Sequence, residues 1–250
     1  MAVPENVKLV RAPNPSALTL DGTNSYVVGG WLVDPRPAID SHVAALRDAL
    51  NDGIEGVVLT HSHADHSEAA ELFEAPVFLP ADGEEVGPFR VIATPGHSPD
   101  SVCLILGGAG GPGTEGGSGG GVCFTGDTVL GEGSVFIAPG EGSLSAYLDS
   151  LRRLRELDLD VLCPGHGPYV TDPSAKLDEY IAHRLERERR LLEALDSGIT
   201  ERDALLDAAW SDVPEHLRGA AALTLAAHLE KLAEEGRLPG DAGAALPGND

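Results

Sequence analysis

Through the first two thirds of the chain, apolar residues come in short bursts that glycine, proline or a small polar residue stops. Bursts this short, rich in side chains that suit a pleated surface, predict strands at Ser25–Gly29, Trp31–Asp34, Gly56–Thr60, Val77–Leu79, Phe89–Thr94, Val102–Leu106, Val122–Phe124 and Val161–Cys163. Helical patterns intervene at Ser41–Asn51 and Ser143–Leu157. The alternation predicts an α/β protein built on sheets. Past Thr171 the period changes, and Leu177, Tyr180, Ile181, Leu185, Leu192 and Leu195 recur at three- and four-residue steps as one apolar stripe. Thr200 with Asp203 suits a helix start. Pro214 suits the first turn of another helix, which carries Leu225, Leu229 and Leu232 and ends at Gly236. These helices predict a small C-terminal module. Gly107–Gly121 (GGAGGPGTEGGSGGG) is too rich in glycine to offset its ordering entropy and reads as an elongated, flexible hairpin loop. The Gly-, Ala- and Pro-rich stretch Gly240–Asp250 is expected to be disordered.

Composition narrows the function classes. A chain of 250 residues with 42% hydrophobic content buries a sizeable core. No apolar run approaches the roughly 20 residues of a membrane span, and Met1–Asn6 lacks the basic and apolar regions of a signal peptide. Cys103, Cys123 and Cys163 cannot form a disulfide framework. Each lies in an apolar stretch and reads as a small core residue of a cytoplasmic protein. The formal net charge of −23 opposes generic binding to nucleic acid, whose phosphates need Lys and Arg. Residues 171–250 carry 9 basic against 17 acidic residues. The tail is therefore expected to pack or form a homodimer rather than read duplex DNA.

The segment that carries chemistry is Thr60-His61-Ser62-His63-Ala64-Asp65-His66, which follows the apolar run Gly56–Leu59. Three histidines and a carboxylate this close repel or go unsatisfied unless a cation joins them, and imidazole and carboxylate are natural ligands of divalent metals. His61 and His63, two apart in extended chain, point the same way and can share one ion. Asp65 and His66 follow a turn and can address a second. Three more segments place a candidate ligand just past a strand: Pro95-Gly96-His97, Thr125-Gly126-Asp127 and Pro164-Gly165-His166. Strand ends meeting at one rim are how α/β sheets assemble sites. His42, His183, His216 and His228 lie in helical contexts and read as surface or packing residues.

In order and type these segments resemble the metal motifs of the metallo-β-lactamase superfamily over most of residues 16–170. The resemblance implies a four-layer αββα sandwich with the site at one edge. It also implies that His61, His63 and His97 bind one metal, that Asp65, His66 and His166 bind a second, and that Asp127 bridges both. An aspartate at position 127 disfavours antibiotic hydrolysis and is similar to glyoxalase II-like thioesterases and to nucleases. The stretch Leu18–Gly29 and the helical tail resemble the lactamase-like protein 2 group, whose members include a single-strand-specific endoribonuclease. By that likeness residues 1–170 form the catalytic domain, 171–239 a winged-helix-like domain and 240–250 a tail. Ser67-Glu68-Ala69 departs from the glycines many relatives carry after the last histidine of this cluster.

Two ions about 3.5–4 Å apart can share a water and lower its pKa towards roughly 7. The implied activity is hydrolysis by a dimetal-bridged hydroxide, with Asp65 and Asp127 as the catalytic carboxylates. Two zinc ions are expected, and iron or manganese also suit this ligand set. Three readings follow. The first is a phosphodiesterase acting on single-stranded RNA, which Arg184, Arg187 and Arg190 on one helix could assist through phosphate contacts. Glu186, Glu188 and Glu193 interleave with them, however, and favour a merely solvated face. The second is a glyoxalase II-like thioester or ester hydrolase acting on a small substrate. The third is a non-catalytic, metal-stabilised binding module.

Overall fold

The structure, a computed structural model, describes residues 5–51, 53–108 and 120–238, without the side chains at positions 64 and 65. The tail 240–250 and most of the glycine-rich run (109–119) lie outside the described residues.

The first half-sandwich is built from β1 (Val7–Arg11), β2 (Asn24–Val28), β3 (Trp31–Val33), helix α1 (Asp40–Leu50) and β4 (Gly56–Val58). Helix α2 (Ala64–Ser67) and β5 (Val77–Phe78) complete it. Its five strands lie in sequence order, antiparallel up to β3 and parallel from β3 to β5. The second half holds β6 (Glu85–Val86), β7 (Phe89–Ala93), β8 (Val102–Gly107), β9 (Gly121–Gly126), α3 (Leu144–Arg155) and β10 (Leu159–Pro164). This sheet runs β10-β9-β8-β7-β6, with only β10 and β9 parallel. Gly107 pairs with Gly121, so the two strands do form the expected hairpin at the base of the glycine run.

The period-2 alternation of a strand explains the layering. In β7, β8, β9 and β10, alternate residues Phe89, Val91, Val102, Leu104, Val122, Phe124, Val161 and Cys163 pack between the sheets against Tyr26, Val28, Val33 and Val58. The residues between them turn outward: Ile92, Cys103, Ile105, Cys123 and Leu162 meet Leu144, Tyr147, Leu148, Leu151 and Leu154 of α3. On the other side Val27, Leu32 and Val57 meet Val43, Leu46 and Leu50 of α1. The result is the expected order of helix, sheet, sheet, helix. All three cysteines are free and buried in this core. Among the described residues no helix is long and apolar enough to cross a membrane.

Past β10 come α4 (Pro173–Asp196), α5 (Arg202–Ala209) and α6 (Arg218–Glu234). Asp172 caps α4 by accepting from the Ala175 amide, with proline at the first helical position. Helix α4 belongs to two cores. Leu177 and Tyr180 join the cluster around α3, whereas Leu191, Ala194 and Leu195 pack with Leu205, Leu206, Trp210, Leu225, Leu229 and Leu232.

Several expectations need correction. The run Val77–Leu79 forms the expected strand over Val77–Phe78 only. It is an edge strand with Val77 42% and Leu79 46% exposed and the Trp31 ring against Phe78. Strands β1 and β6 escaped the pattern, since the mixed alternation Val-Lys-Leu-Val-Arg buries only Val7 fully and β6 has two residues. Leu185 does not join the apolar stripe of α4. It is 42% exposed, and Leu191 takes the buried place expected of Leu192. Helix α5 starts at Arg202 without a side-chain cap from its neighbours. Pro214 leads into a 3-10 turn at Glu215–Leu217 that runs directly into α6.

Leu104 is fully buried between the sheets. Leu104→Ala is expected to cost about 2–5 kcal/mol in denaturant unfolding, through lost transfer energy and an unfilled cavity. Leu79→Ser on the exposed edge should change stability by no more than about 0.5 kcal/mol.

Candidate metal centre

Four strand ends deliver the candidate ligands to one place. The chain leaves β4 through Leu59 and Thr60 into His61. It leaves β7 through a Pro-Gly turn into His97, β9 directly into Asp127, and β10 through Gly165 into His166. Gly165 has to be glycine, because a Cβ there would lie 2.8 Å from both Asp127 Oδ1 and His66 Cε1. Short helix α2 carries His66 back over the cluster, and His63 precedes it.

Six of the seven predicted residues come together. His61 stacks edgewise on His63 and His97, with ring centroids 4.7 and 5.2 Å away, and lies 4.1 Å from the His66 ring. His97 Nε2 is 3.1 Å from His63 Nδ1. His66 Nε2 and His166 Nε2 each sit 3.4 Å from Asp127 Oδ1, and His97 Nε2 is 3.9 Å from Asp127 Oδ2. Two sets of three donors fall within 4.8 Å of one another: His61, His63 and His97, and His61, His66 and Asp127. His61 thus stands between both sets, where the resemblance gave it to one. The side chain of Asp65 lies outside the described residues.

The donor set fits a cation. His61 Nε2, His66 Nε2 and Asp127 Oδ1 are buried without a hydrogen-bond partner, and buried polar atoms seldom stay unpaired. Burial, then the neighbouring His66, pushes the His61 pKa far down, and burial with His97 lowers that of His63, so both keep a free lone pair. Burial opposes the Asp127 carboxylate, but His66 and His166 outweigh it and hold its pKa well below the usual range. Burial also opposes a charged His66, yet Asp127 and Asp34 raise it to about 9.

Residues beyond the motifs hold these rings in place. Buried Asp34, one residue past β3, accepts from the Thr60 amide at 2.8 Å and the Thr60 hydroxyl at 2.7 Å, and meets His66 Nδ1 at 3.1 Å. Thr60 Oγ1 in turn lies 3.1 Å from His61 Nδ1. Buried Arg36 donates to the His63 carbonyl at 2.6 Å. The carbonyls of Phe136 and Gly22 face His97 Nδ1 and His166 Nδ1 at 3.3 and 3.5 Å. Such partners fix the ring orientation of a ligand histidine. Sequence reasoning missed Asp34 and Arg36. The available signal was that Asp34 ends the strand beside the one leading into the histidine cluster, since Val33 pairs with Val58.

A cleft of about 530 Å³ opens from His63, His97, Asp127 and His166. Leu18, Leu20 and the loop around Leu130–Ala138 form its sides, and α4, Trp210 and α6 close its far end. The arginines of α4 are not a solvated face. Arg184 and Arg187 are only 2% and 5% exposed. Arg187 is held by Asp212 at 2.5 and 2.9 Å and by the Ala209 carbonyl, over the Trp210 ring. Arg190 pairs with Glu186 at 2.8 Å. Helix burial turns two of the three inward: Arg187 ties α4 to the segment after α5, and Arg184 reaches Val135 and the Tyr147 ring.

Comparison with known proteins matches residues 74–166 to a family model described as the metallo-beta-lactamase superfamily. Residues 203–241 match a beta-lactamase associated winged helix domain. A beta-lactamase-like protein 2 homolog of Caenorhabditis elegans is 31% identical over 89% of this chain and 82% of its own length. An atrochrysone carboxyl ACP thioesterase of Aspergillus novofumigatus is 30% identical over 74% of this chain and 62% of its own. Among solved structures, a metallo-beta-lactamase family protein from Thermus thermophilus superposes with a TM-score of 0.73 at 24% identity. That superposition covers 94% of this chain and 95% of the other, and it speaks for the fold.

Asp34→Ala removes the acceptor shared by Thr60 and His66. It is expected to weaken divalent-metal retention by about 10- to 100-fold in chelator competition, with the fold intact by circular dichroism. Undiminished retention would show that Asp34 does not orient the ligands.

Proposed function

This chain belongs to the metallo-β-lactamase superfamily, among the winged-helix-tailed beta-lactamase-like protein 2 homologues, and from that premise we propose that it hydrolyses small acyl thioesters or esters. At the coarser level it is a member of a hydrolase family. The observation that carries the finer reading is the cleft: an apolar passage from the histidine cluster to the C-terminal helices, with Arg187 paired to Asp212 and Arg189 and Arg190 paired to Glu186. A hydrocarbon acyl chain suits such walls. A polyanion does not, given the net charge of −23. The name of the Aspergillus relative, a thioesterase, points the same way.

The unpaired atoms of His61, His66 and Asp127 are where metal would be held, with His63, His97 and His166 completing the set and Asp65 as the further candidate ligand. Zinc suits these nitrogens and carboxylates first, and iron or manganese next. Two divalent ions there supply Lewis-acid polarisation of an acyl carbonyl and a water whose pKa falls to about 7. This chain's own residues do the rest. Asp127 stays ionised and offers one oxygen to His66 and His166 and the other towards His97. It can thereby orient the attacking water and offset positive charge. His61 and His63 stay neutral because burial and the adjacent imidazoles disfavour a proton. Leu18, Leu20 and Phe136 place the acyl chain and keep bulk water from the carbonyl.

The test pairs a chromogenic acyl thioester with labelled single-stranded RNA, assayed on the same metal-loaded preparation. Thioester turnover with intact RNA is expected. RNA cleavage that His63→Ala abolishes, without thioesterase activity, would establish the phosphodiesterase instead. Asp127→Ala should lower bound metal and reduce kcat/KM by at least about 100-fold. Chelation should remove activity and added zinc restore it. Full activity in the Asp127 variant would sink the role given to that carboxylate.

A further inference from the structure

Arg184 is a buried charge that the hydrolytic chemistry leaves unused. It sits on the inner face of α4, 2% exposed, and lines the cleft. Its guanidinium donates to the Val135 carbonyl and lies over the Tyr147 ring, 5.4 Å from the centroid. Its Nε is buried without a partner. Among the described residues no carboxylate forms an ion pair with it. An arginine keeps its proton at neutral pH, so a buried one calls for an anion.

The neighbours do not provide one. Arg187 faces Asp212, and Lys231 faces Glu188 at 2.6 Å. His183 is pushed down to about 4 by burial and then by Arg184, and His228, fully buried against Trp210, is pushed down by the same causes. Both rings are neutral at pH 7, and neither brings negative charge.

Position says what the missing anion belongs to. One peptide joins Arg184 to the metal centre: the Val135 carbonyl accepts from Arg184, and the next carbonyl, Phe136, meets His97 Nδ1 at 3.3 Å. Both ends line the same cleft. A ligand whose carbonyl lies at the histidines therefore reaches Arg184 through a short chain, past the apolar surfaces of Leu130, Val135 and Phe136. We propose that Arg184 is a specificity residue that binds a terminal carboxylate on the acyl part of the substrate, so that the cleft selects carboxy-ended acyl groups over neutral ones. The proposal rests on the acyl-hydrolase reading for its chemistry, and on the unpaired guanidinium for its ligand. One negative charge balances one guanidinium. A second would face Glu132 and Glu141, which line the same cleft, in a chain of net charge −23. This favours carboxylate over phosphate.

The probe is a pair of unreactive analogues of glutaryl-N-acetylcysteamine in which a methylene replaces the thioester sulfur, one ending in carboxylate and the other in the matching amide. Calorimetry on the metal-loaded protein is expected to show the carboxylate form binding at least about tenfold tighter, as a charge-assisted bidentate pair does. Arg184→Met should shrink that ratio below threefold, and Arg184→Lys should leave an intermediate one. Equal binding of the two analogues by the wild-type protein overturns the proposal, whether or not the variants fold. So does a folded Arg184→Met protein that keeps the full ratio. Discrimination dependent on Arg184 in a protein that turns over no thioester would leave the subsite standing and remove the thioesterase reading alone.

Discussion

A buried carboxylate surrounded by imidazoles is the constraint from which this structure is organised. Asp127, at the strand-end rim and largely buried, holds its charge only with positive charge beside it. The chain meets that demand with the imidazoles of His66, from α2, and His166, from the end of β10. Asp34 adds a second negative group behind His66, at 3.1 Å, so the site is poised for a cation whichever species supplies it. Gly165 can approach only because it lacks a Cβ, and Thr60 can serve both Asp34 and His61 only because β3 and β4 run parallel and end together.

The sandwich supplies the rim and the C-terminal helices supply the wall. Had the arginines of α4 faced solvent, the cleft would open toward a basic surface suited to phosphates. Turned inward, Arg187 is neutralised by Asp212 and stacked on Trp210. What remains facing the ligand is largely hydrocarbon, with the Arg184 guanidinium and the carboxylates of Glu132 and Glu141 set into it. The character of the cleft therefore comes from a helix that contributes nothing to the metal centre.

Much of this was readable in advance, and the reason is local. The alternation Val102–Ile105 dictates which side chains enter the seam, and three histidines with a carboxylate within His61–His66 mark a candidate cation cluster. Asp34 and Arg36 were not readable, because a lone aspartate after a short strand looks like any turn until the neighbouring strand is known. Arg184 and Arg187 were misjudged for a related reason. Interleaved glutamates imply a wet helix face, but burial depends on what packs against the helix, and nothing in the local pattern announces Val135, Tyr147 and Trp210 as its neighbours. The edge position of β5 was hidden too, since Val-Phe-Leu reads the same whether or not a layer covers it.

Helix α4 packs one end against α3 and the other against α5 and α6. The N-terminal end of α4 therefore packs with the sandwich, and its C-terminal end with the helices that follow. Exchange of the tail between related chains would carry over the side of the cleft built by α4, Trp210 and α6. The candidate ligands and much of the wall that faces them thus belong to different stretches of the chain, so substitutions past Pro173 reshape the cleft without touching a ligand.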